Sequence, residues 1–392
     1  MDWIRQAITL LRLRWIGPVR IAAYGWILTF ASLVSLGPKW LQAMGKDGSD
    51  FQAFWAAARL TVTGNAAKAY DLSAIEAVQT GLGRPEWFAF VNPPPFLLIV
   101  APLGWLPYPF AWWVWVLCGW AMFILMARRF VPGYTSAVAG YPGALVAAWH
   151  AQTGLLVSAV QAALAVLFER RPFVAGVFTG LLVIKPHLAV LLPIAFIAGR
   201  HWRAIGGAMF GMGAVLAVSW LVLGSDTLHA YPSSWQASRY LMDTGSREFF
   251  LRQCTVYAAV RLVAGSGIAT VAQLFSTGFA IWVTWSVWRK PWSTEARFAV
   301  LFAATPLATP YLFNYDLPFL VMPTIWLAAQ ERASPEHGWR RLQIMGFYLA
   351  PLLTRAFALP LGANLMPWVS VLMLVAVVRR AKRNGAEGAY AA

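Results

Sequence analysis

Uncharged apolar stretches, each about 15 to 25 residues long, recur from near residue 20 to residue 378, and a helix of this length spans a bilayer. Of the 392 residues, 59% are hydrophobic and only 12% are charged. Soluble domains carry roughly twice that charged fraction. The chain is therefore predicted to be an all-α polytopic membrane protein, with a single transmembrane domain over residues 1–392.

The basic charge of the chain follows the same pattern. Lys and Arg number 31 against 15 Asp and Glu, which gives a formal net charge of +16. A basic excess can indicate nucleic-acid binding, but here the positive residues form short clusters between apolar segments. Such clusters orient membrane helices, because positive residues stay on the cytoplasmic side. The membrane is therefore the expected partner, and nucleic acid is not.

Helices drawn between the positive clusters alternate in direction and predict about ten crossings of a bacterial inner membrane, with both termini cytoplasmic. The clusters are Arg5/Arg12/Arg14/Arg20, Arg128/Arg129, Arg170/Arg171, Arg200/Arg203, Arg289/Lys290 with Arg297, Arg332/Arg340/Arg341, and Arg379/Arg380/Lys382/Arg383. The predicted crossings are 19–37, 110–127, 134–149, 151–168, 204–223, 267–288, 296–312, 317–330, 341–358 and 361–378.

Two apolar segments do not fit as simple crossings. Residues 94–107 are short and interrupted by proline, and residues 173–199 are broken at Lys185-Pro186. Irregular backbone at membrane depth is tolerated only where it is buried in protein or lines a wet cavity. Both segments are therefore predicted to be re-entrant or broken hairpins and candidate cavity walls.

This scheme leaves two sizeable periplasmic loops, residues 38–93 and 224–262. The first contains a helical apolar period over 51–62, and Ser73-x-x-Glu76 is the capping-box pattern that predicts the start of a second helix. Both helices are expected to lie on the membrane surface with the apolar face down. Most acidic residues fall on this side of the scheme: Asp47, Asp50, Asp71, Glu76, Glu86, Asp226, Asp243, Glu248 and Asp316.

Asp50 is the leading catalytic candidate. It follows Gly48-Ser49 and opens the first loop helix, where Asp is a favoured N-cap. The alternative role is a general base at the membrane surface that takes a proton from a sugar hydroxyl. The two roles are compatible, and spacing alone does not separate them. Asp47, one glycine-rich turn earlier, is a weaker candidate.

Cations inside apolar segments form the second group of candidates. Lys185, with His187 beside it, needs an anionic partner or a wet cavity, because a buried ammonium is costly in the membrane. It either binds a lipid phosphate or snorkels to the inner interface. Arg355 has a planar fork suited to a phosphate, and pairing with Asp316 is its structural alternative.

The remaining candidates are polar groups near outer helix ends: Arg59, His150, Gln152, Asn314, Tyr315 and Asp316. Each is either a substrate-binding group that shares a cavity with Asp50 or a satisfied structural group, and Arg59 in particular could pair with an acid. No metal-ligand spacing, P-loop or D-x-D pair is present. We therefore expect no metal and no cofactor.

Four stretches carry a family resemblance: SDFQAFWAAARLTVTGNAAKAYD, NPPPFLLIVAPLGWLPYPFAWWVW, FERRPFVAGVFTGLLVIKPHLAVLLPIAFIAGRHWRA and TPYLFNYDLPFL. Together they resemble glycosyltransferase family 87, which includes polyprenol-phosphate-mannose-dependent α-mannosyltransferases. The resemblance implies a GT-C-type bundle, surface helices in the first outer loop, a loop aspartate as base at Asp50 and no nucleotide cofactor. The chain has Ala151-Gln152-Thr153 where relatives often have Gly-Gln-Asn, and its TPYLFNYD stretch lacks the histidine of mycobacterial members.

The function predicted from these observations is membrane glycosyl transfer. A hexose, with mannose favoured, would pass from a polyprenyl-phosphate donor to a lipid or glycan acceptor at the periplasmic face, by an inverting mechanism with Asp50 as base. The main alternative is a polytopic transporter or flippase of lipid-linked sugars. A sugar-polymer ligase is a weaker alternative. No internal repeat favours a transporter, and the acidic residues gather in the outer loops.

Overall fold

The computed structural model describes residues 17–45, 49–83, 87–335 and 339–390. These residues form helices and loops, with one isolated bridge between Gln253 and Phe313 and no strand in the described ranges. In chain order the α-helices are α1 (Pro18–Met44), α2 (Phe51–Val62), α3 (Leu72–Thr80), α4 (Pro94–Val100), α5 (Tyr108–Ala127), α6 (Thr135–Ala139), α7 (Pro142–Trp149), α8 (Gly154–Leu167), α9 (Pro172–Leu181), α10 (Leu191–Ala198), α11 (Trp202–Leu223), α12 (Ser225–Ala230), α13 (Ser233–Thr244), α14 (Arg247–Leu251), α15 (Val256–Trp288), α16 (Thr294–Ala308), α17 (Val321–Ala333), α18 (Arg340–Leu361) and α19 (Met366–Tyr390). The predicted all-α membrane architecture is confirmed.

Five of these helices are long and apolar enough to cross a membrane, namely α1, α5, α11, α15 and α18. Their outward faces carry large apolar side chains such as Phe30, Phe210 and Phe275, each more than 60% exposed. A surface of this kind is stable against lipid rather than water. Shorter helices, among them α8 and α16, fill the interior, where nearly every side chain is buried.

Every predicted crossing coincides with a helix or a broken helix, although the count of ten crossings stays a prediction. The segment 134–149 is divided into α6 and α7 at Gly140-Tyr141. The helix drawn over 267–288 begins earlier, at Val256, and is kinked at Gly265, whose φ of 78° only glycine adopts readily.

The two irregular segments are interrupted as predicted. Residues 94–107 form α4 followed by a 3-10 helix over Ala101–Trp105. Between α9 and α10 the chain makes two 3-10 turns on either side of Lys185. Pro186 explains the break, because proline lacks an N–H and its ring clashes with the preceding turn of a helix.

The surface location predicted for the first loop helices is wrong for α2. All residues from Phe51 to Ala58 are buried, around the whole circumference of the helix. Phe54 packs its ring against Phe90, Phe96 and Trp115, at centroid distances between 5.0 and 6.4 Å. The three alanines at 56–58 made the helix look half polar in sequence, but small side chains admit neighbours on every side.

Helix α3 is amphipathic, with Ile75 and Gln79 buried, but its predicted cap is also wrong. The helix begins at Leu72, and the Asp71 carboxylate accepts the backbone N–H groups of Ser73 (2.9 Å) and Ala74 (3.4 Å). The pattern at Ser73 is therefore inside the first turn. Asp71 caps the helix. A 2.7 Å hydrogen bond from the Ser73 hydroxyl, and after it these backbone hydrogen bonds, lower the pKa of the Asp71 carboxyl.

The two outer loops meet at one end of the bundle. The Ser233 hydroxyl donates to the Tyr70 carbonyl at 3.1 Å, and the Tyr70 and Tyr231 rings lie 5.5 Å apart. The second loop ends against the segment before residue 316, where the Cys254 N–H donates to the Leu312 carbonyl at 2.7 Å. The two loops are therefore in contact with each other, and the second loop also contacts the segment that leads to Asp316.

Candidate functional site

Asp50 stands at the first turn of α2 but does not cap it. Its side chain makes no capping hydrogen bond, and its backbone is helical, with φ −52° and ψ −24°. Instead the carboxylate accepts a 2.9 Å hydrogen bond from Gln152 Nε2. The capping role considered for Asp50 is therefore wrong, and the carboxylate is directed to the turn between α7 and α8.

That turn ends α7 with a left-handed residue. Ala151 has a φ of 46°, the Gln152 N–H donates to the Ala147 carbonyl at 3.1 Å, and Trp115 Nε1 donates to the Ala151 carbonyl at 2.8 Å. This is the Schellman type of helix end, in which glycine usually occupies the left-handed position. The geometry accounts for the glycine that relatives often have there. It presents His150 and Gln152 together toward Asp50.

His150 shares the neighbourhood of Asp50. Removal of its ring from water lowers the pKa of the imidazole, the negative charge of Asp50 opposes this, and the positive charges of Arg355, Lys39 and Arg252 lower it further. The ring is therefore neutral at pH 7. Its centroid lies 5.5 Å from that of Tyr315.

Lys185 and Asp316 form a buried ion pair. Lys185 Nζ also donates to Thr153 Oγ1 at 2.8 Å, and the second Asp316 oxygen accepts the Phe313 N–H at 3.2 Å. Snorkelling of Lys185 to the inner interface and pairing of Asp316 with Arg355 were both considered, and both are wrong. The two charges of the pair therefore offset each other in a buried position.

The Lys185–Asp316 pair lies against the Tyr315 side chain. Lys185 Nζ lies 5.4 Å from the Tyr315 ring centroid, and the Tyr315 ring stacks on Phe313 at 5.1 Å. Helix α8 starts directly against this segment: a Cβ on Gly154 would lie 1.9 Å from the Tyr315 carbonyl oxygen. Only glycine permits that approach, so the turn bearing Gln152 and the 3-10 helix Asn314–Leu320 are held in contact.

Asn314 belongs to the same framework. Its Nδ2 donates to the Arg252 carbonyl at 2.9 Å, and its Oδ1 accepts from Cys254 Sγ at 3.1 Å. Both ends of the amide are therefore engaged by the second outer loop. The residue ties the segment that contains Tyr315 and Asp316 to the second loop.

Arg355 contributes a positive charge to the site. It lies on α18, partly exposed, close enough for its charge to act on His150. Among the described residues its guanidinium has no hydrogen-bond or ion-pair partner. The neighbouring Arg252, by contrast, pairs with Glu248 one helical turn away.

Two predicted residues lie away from Asp50. Arg59 is nine residues along α2, about 13 Å by helix rise, and donates to the Gly104 carbonyl at 3.0 Å. It pairs with no acid in the described ranges, so the acid partner considered for it is wrong. His187 packs edge-on against Tyr311 at 5.9 Å, and its buried Nε2 has no hydrogen-bond partner among the described residues.

Sequence reasoning missed three residues of this region. Tyr311 packs against Phe313 at 5.3 Å and against His187 at 5.9 Å. Thr153 binds Lys185. Lys39, at the end of α1, lies over the Trp149 ring at 5.8 Å. Tyr311 and Thr153 each stand in a stretch already noted in the sequence, TPYLFNYD and Ala151-Gln152-Thr153, whereas Lys39 carried no signal. Asp47 lies outside the described residues.

An apolar groove leads to the cluster from the side of the bundle. It has a volume of about 210 Å³ and is bounded by α5, α7, α8 and residues 99–103. Its walls include Ile99, Val114, Met122 and Leu155, and Gln152 is also among the lining residues. The residue that hydrogen-bonds Asp50 therefore also lines a channel suited to a hydrocarbon chain.

A comparison with protein families decides the class. The model of glycosyltransferase family 87 matches residues 90–310, more than half of the chain. The chain belongs to glycosyltransferase family 87. It is therefore a membrane glycosyltransferase, which favours this prediction over the transporter alternative. No curated protein and no solved structure matches the chain significantly.

The family match includes some site residues and not others. His150, Gln152, Lys185 and His187 fall inside residues 90–310. Asp50, Asp316 and Arg355 fall outside them. The described residues contain no group of three or more acids, histidines and cysteines that could hold a metal ion. The roles of these residues must therefore be argued from geometry.

Proposed function

We propose that this family 87 glycosyltransferase moves a hexose from a polyprenyl-phosphate donor to a lipid or glycan acceptor, at the periplasmic face of a bacterial inner membrane. The observation that supports this most is the placement of Asp50, a carboxylate free of any cap that accepts a hydrogen bond from Gln152, which also lines an apolar groove. Mannose is the favoured hexose because the chain resembles the mannose-transferring members of the family.

The proposed reaction is a single inverting displacement. Asp50 takes the proton of an acceptor hydroxyl, and the resulting oxygen attacks the anomeric carbon of the donor sugar. The bond from that carbon to the phosphate oxygen breaks, and the polyprenyl phosphate leaves with the electron pair. The Gln152 amide keeps one carboxylate oxygen in place and leaves the other for the acceptor. A base of this kind contributes about 10²–10⁴-fold to the rate.

The leaving phosphate carries negative charge, which positively charged side chains near His150 can balance. Arg355 has no acidic partner in the described ranges, whereas the charge of Arg252 is largely balanced by Glu248. Fixed charges at the point where charge develops are commonly the largest contribution to catalysis. Arg355 is therefore the proposed phosphate ligand, with Lys39 as a second positive charge nearby.

The groove suits the first isoprene units of the donor. Its walls are apolar, and the lining residue Gln152 hydrogen-bonds the proposed base. A donor that enters laterally from the lipid would keep its chain in the groove and bring its phosphate-linked sugar to Asp50. Burial of the chain contributes about 0.8 kcal/mol per methylene, which favours lipid-linked donors over soluble nucleotide sugars.

The decisive experiment measures release of the lipid phosphate. Purified protein is incubated with an extract of bacterial membrane lipids and glycans as acceptor and with short-chain polyprenyl-phosphate mannose, glucose or galactose as donor, and the phosphate product is quantified. Asp50→Asn should keep the Gln152 hydrogen bond and the fold, because the amide oxygen can still accept. It cannot take a proton, so turnover should fall about 10²-fold or more while donor binding survives.

The matched control is Asp71→Asn, an acid of the same loop that caps α3. Asparagine caps about as well as aspartate, so this variant should keep wild-type turnover. An Asp50→Asn protein that turns over at the wild-type rate would remove Asp50 from catalysis. Movement of the lipid across a bilayer without release of lipid phosphate would support the transporter alternative instead.

Orientation is tested by cysteine labelling. In a Cys118→Ala background, cysteine is placed at Thr63, exposed after α2, or at Ser334, exposed after α17. An impermeant maleimide should label Thr63→Cys and spare Ser334→Cys in intact cells. The reverse pattern would contradict a periplasmic site.

A further inference from the structure

A second cavity lies at the end of the bundle opposite to the candidate site. Its volume is about 440 Å³, within the range of about 300–1,000 Å³ typical of ligand pockets. The start of α1, residues 133–137, the end of α17 and the start of α18 enclose it. Arg341 at its mouth and Arg355 at the site are fourteen residues apart on α18, about 21 Å by helix rise. The proposed transferase chemistry does not use this cavity.

The cavity is built by two contacts on one short segment. Helix α1 approaches α6 closely, since a Cβ on Gly25 would lie 2.6 Å from the Ser136 backbone. Helix α18 is tied to the same segment by a 2.9 Å hydrogen bond from the Tyr348 hydroxyl to the Ala137 carbonyl. Both helices are thus anchored around residues 136–137, and the space between them remains open.

The walls and the mouth of the cavity differ in chemistry. The walls are apolar, with Ile21 and Leu28 from α1 and Ile344 and Met345 from α18. The mouth carries Glu331, Arg332 and Arg341. Arg341 Nε lies 3.9 Å from Glu331 Oε1, so that arginine is offset by the acid. Arg332 is exposed and has no hydrogen-bond or ion-pair partner among the described residues, which leaves one positive charge in excess.

Apolar walls together with a basic mouth suit an amphiphilic ligand. A polar ligand such as a nucleotide would leave the apolar walls unused, and a neutral hydrocarbon would leave Arg332 without a partner. A basic pocket between membrane helices is suited to an anionic lipid headgroup, and the guanidinium fork binds a phosphate oxygen pair well. We propose that this cavity binds one anionic phospholipid from the leaflet on this side, with its phosphate on Arg332 and an acyl chain along α1 and α18.

The test is competitive lipid retention by the purified full-length protein. Delipidated protein in detergent receives equal amounts of palmitoyl-oleoyl phosphatidylglycerol and phosphatidylcholine, and native mass spectrometry counts the first lipid retained. Wild type should prefer phosphatidylglycerol about fivefold, the factor that one surface cation adds to binding of an anionic lipid. Arg332→Gln should lose this preference and keep its melting temperature.

Two further variants make the test specific. Ala328→Phe places a ring inside the cavity and should reduce retention of both lipids. Arg129→Gln removes an exposed arginine that lies outside the cavity and should behave as wild type, which accounts for lipid bound around the basic rim. Equal retention of the two lipids by wild type, or a wild-type preference in Arg332→Gln, would overturn the proposal. If Ala328→Phe fails to fold, the comparison of Arg332→Gln with Arg129→Gln decides the test.

Discussion

Two charged regions lie side by side under the outer loops, and they differ in how far their charges are satisfied. Lys185 and Asp316 are buried, paired with each other and hydrogen-bonded to Thr153 and to the Phe313 backbone. Asp50 and Arg355 are partly exposed. Asp50 accepts a hydrogen bond from the neutral Gln152 amide, and Arg355 has no hydrogen-bond or ion-pair partner in the described ranges. The charges of the buried pair offset each other, so we propose a structural role for the first region and a chemical role for the second.

The largest effect, on stability, is expected when the Lys185–Asp316 ion pair is broken. Lys185→Met leaves the Asp316 carboxylate buried without a counter-charge and should lower the free energy of unfolding by about 3–5 kcal/mol. The double variant Lys185→Met/Asp316→Asn should recover much of that loss, because no charge is then left buried and the amide can still accept the Phe313 N–H. Thermal unfolding in detergent measures both.

An exposed pair supplies the control for this prediction. Arg252→Gln breaks the pair with Glu248, which is about half exposed, and should change stability by less than about 1 kcal/mol. If Lys185→Met is as mild as Arg252→Gln, the two regions do not differ in the way proposed. Asp316 would then become a second candidate for the chemistry.

A smaller effect, on donor affinity, is expected when Arg355 is replaced. Arg355→Lys keeps the charge but loses the bidentate fork, so the donor KM should rise about tenfold while expression and melting temperature stay normal. Arg247→Lys is the matched control, because the Arg247 guanidinium donates to the Gly362 carbonyl and has no other hydrogen-bond or ion-pair partner in the part of the chain that the structure describes. Equal donor affinity in the two variants would remove Arg355 from the phosphate site.

The smallest effect concerns the turn that joins the two regions. Ala151→Gly relieves a left-handed non-glycine residue and should raise the free energy of unfolding by about 1 kcal/mol without a change in turnover. Ala163→Gly, in the middle of α8, should have the opposite sign, because helical alanine is favoured over glycine by about 1 kcal/mol. A destabilised Ala151→Gly protein would mean that the buried methyl group outweighs the backbone strain.

The sequence predicted the helical membrane architecture and both interrupted segments. Composition and proline placement act over a few residues, so a single chain reveals them. It failed at α2, which is buried in protein rather than laid on the membrane, because alanine is compatible with either environment. It also misassigned the partners of Lys185 and Asp316, since each was judged against its own segment and the lipid rather than against the other.

What the sequence by itself determined is where the chain can cross the bilayer and where it must break, because the transfer free energy of a segment depends on the residues within it. Only the tertiary structure decided which charges are satisfied. Lys185 and Asp316 are 131 positions apart, and Gln152 and Asp50 are 102 apart. No local pattern encodes such pairings, because they arise when several helices pack at once. The difference between framework and chemistry in this glycosyltransferase depends on them.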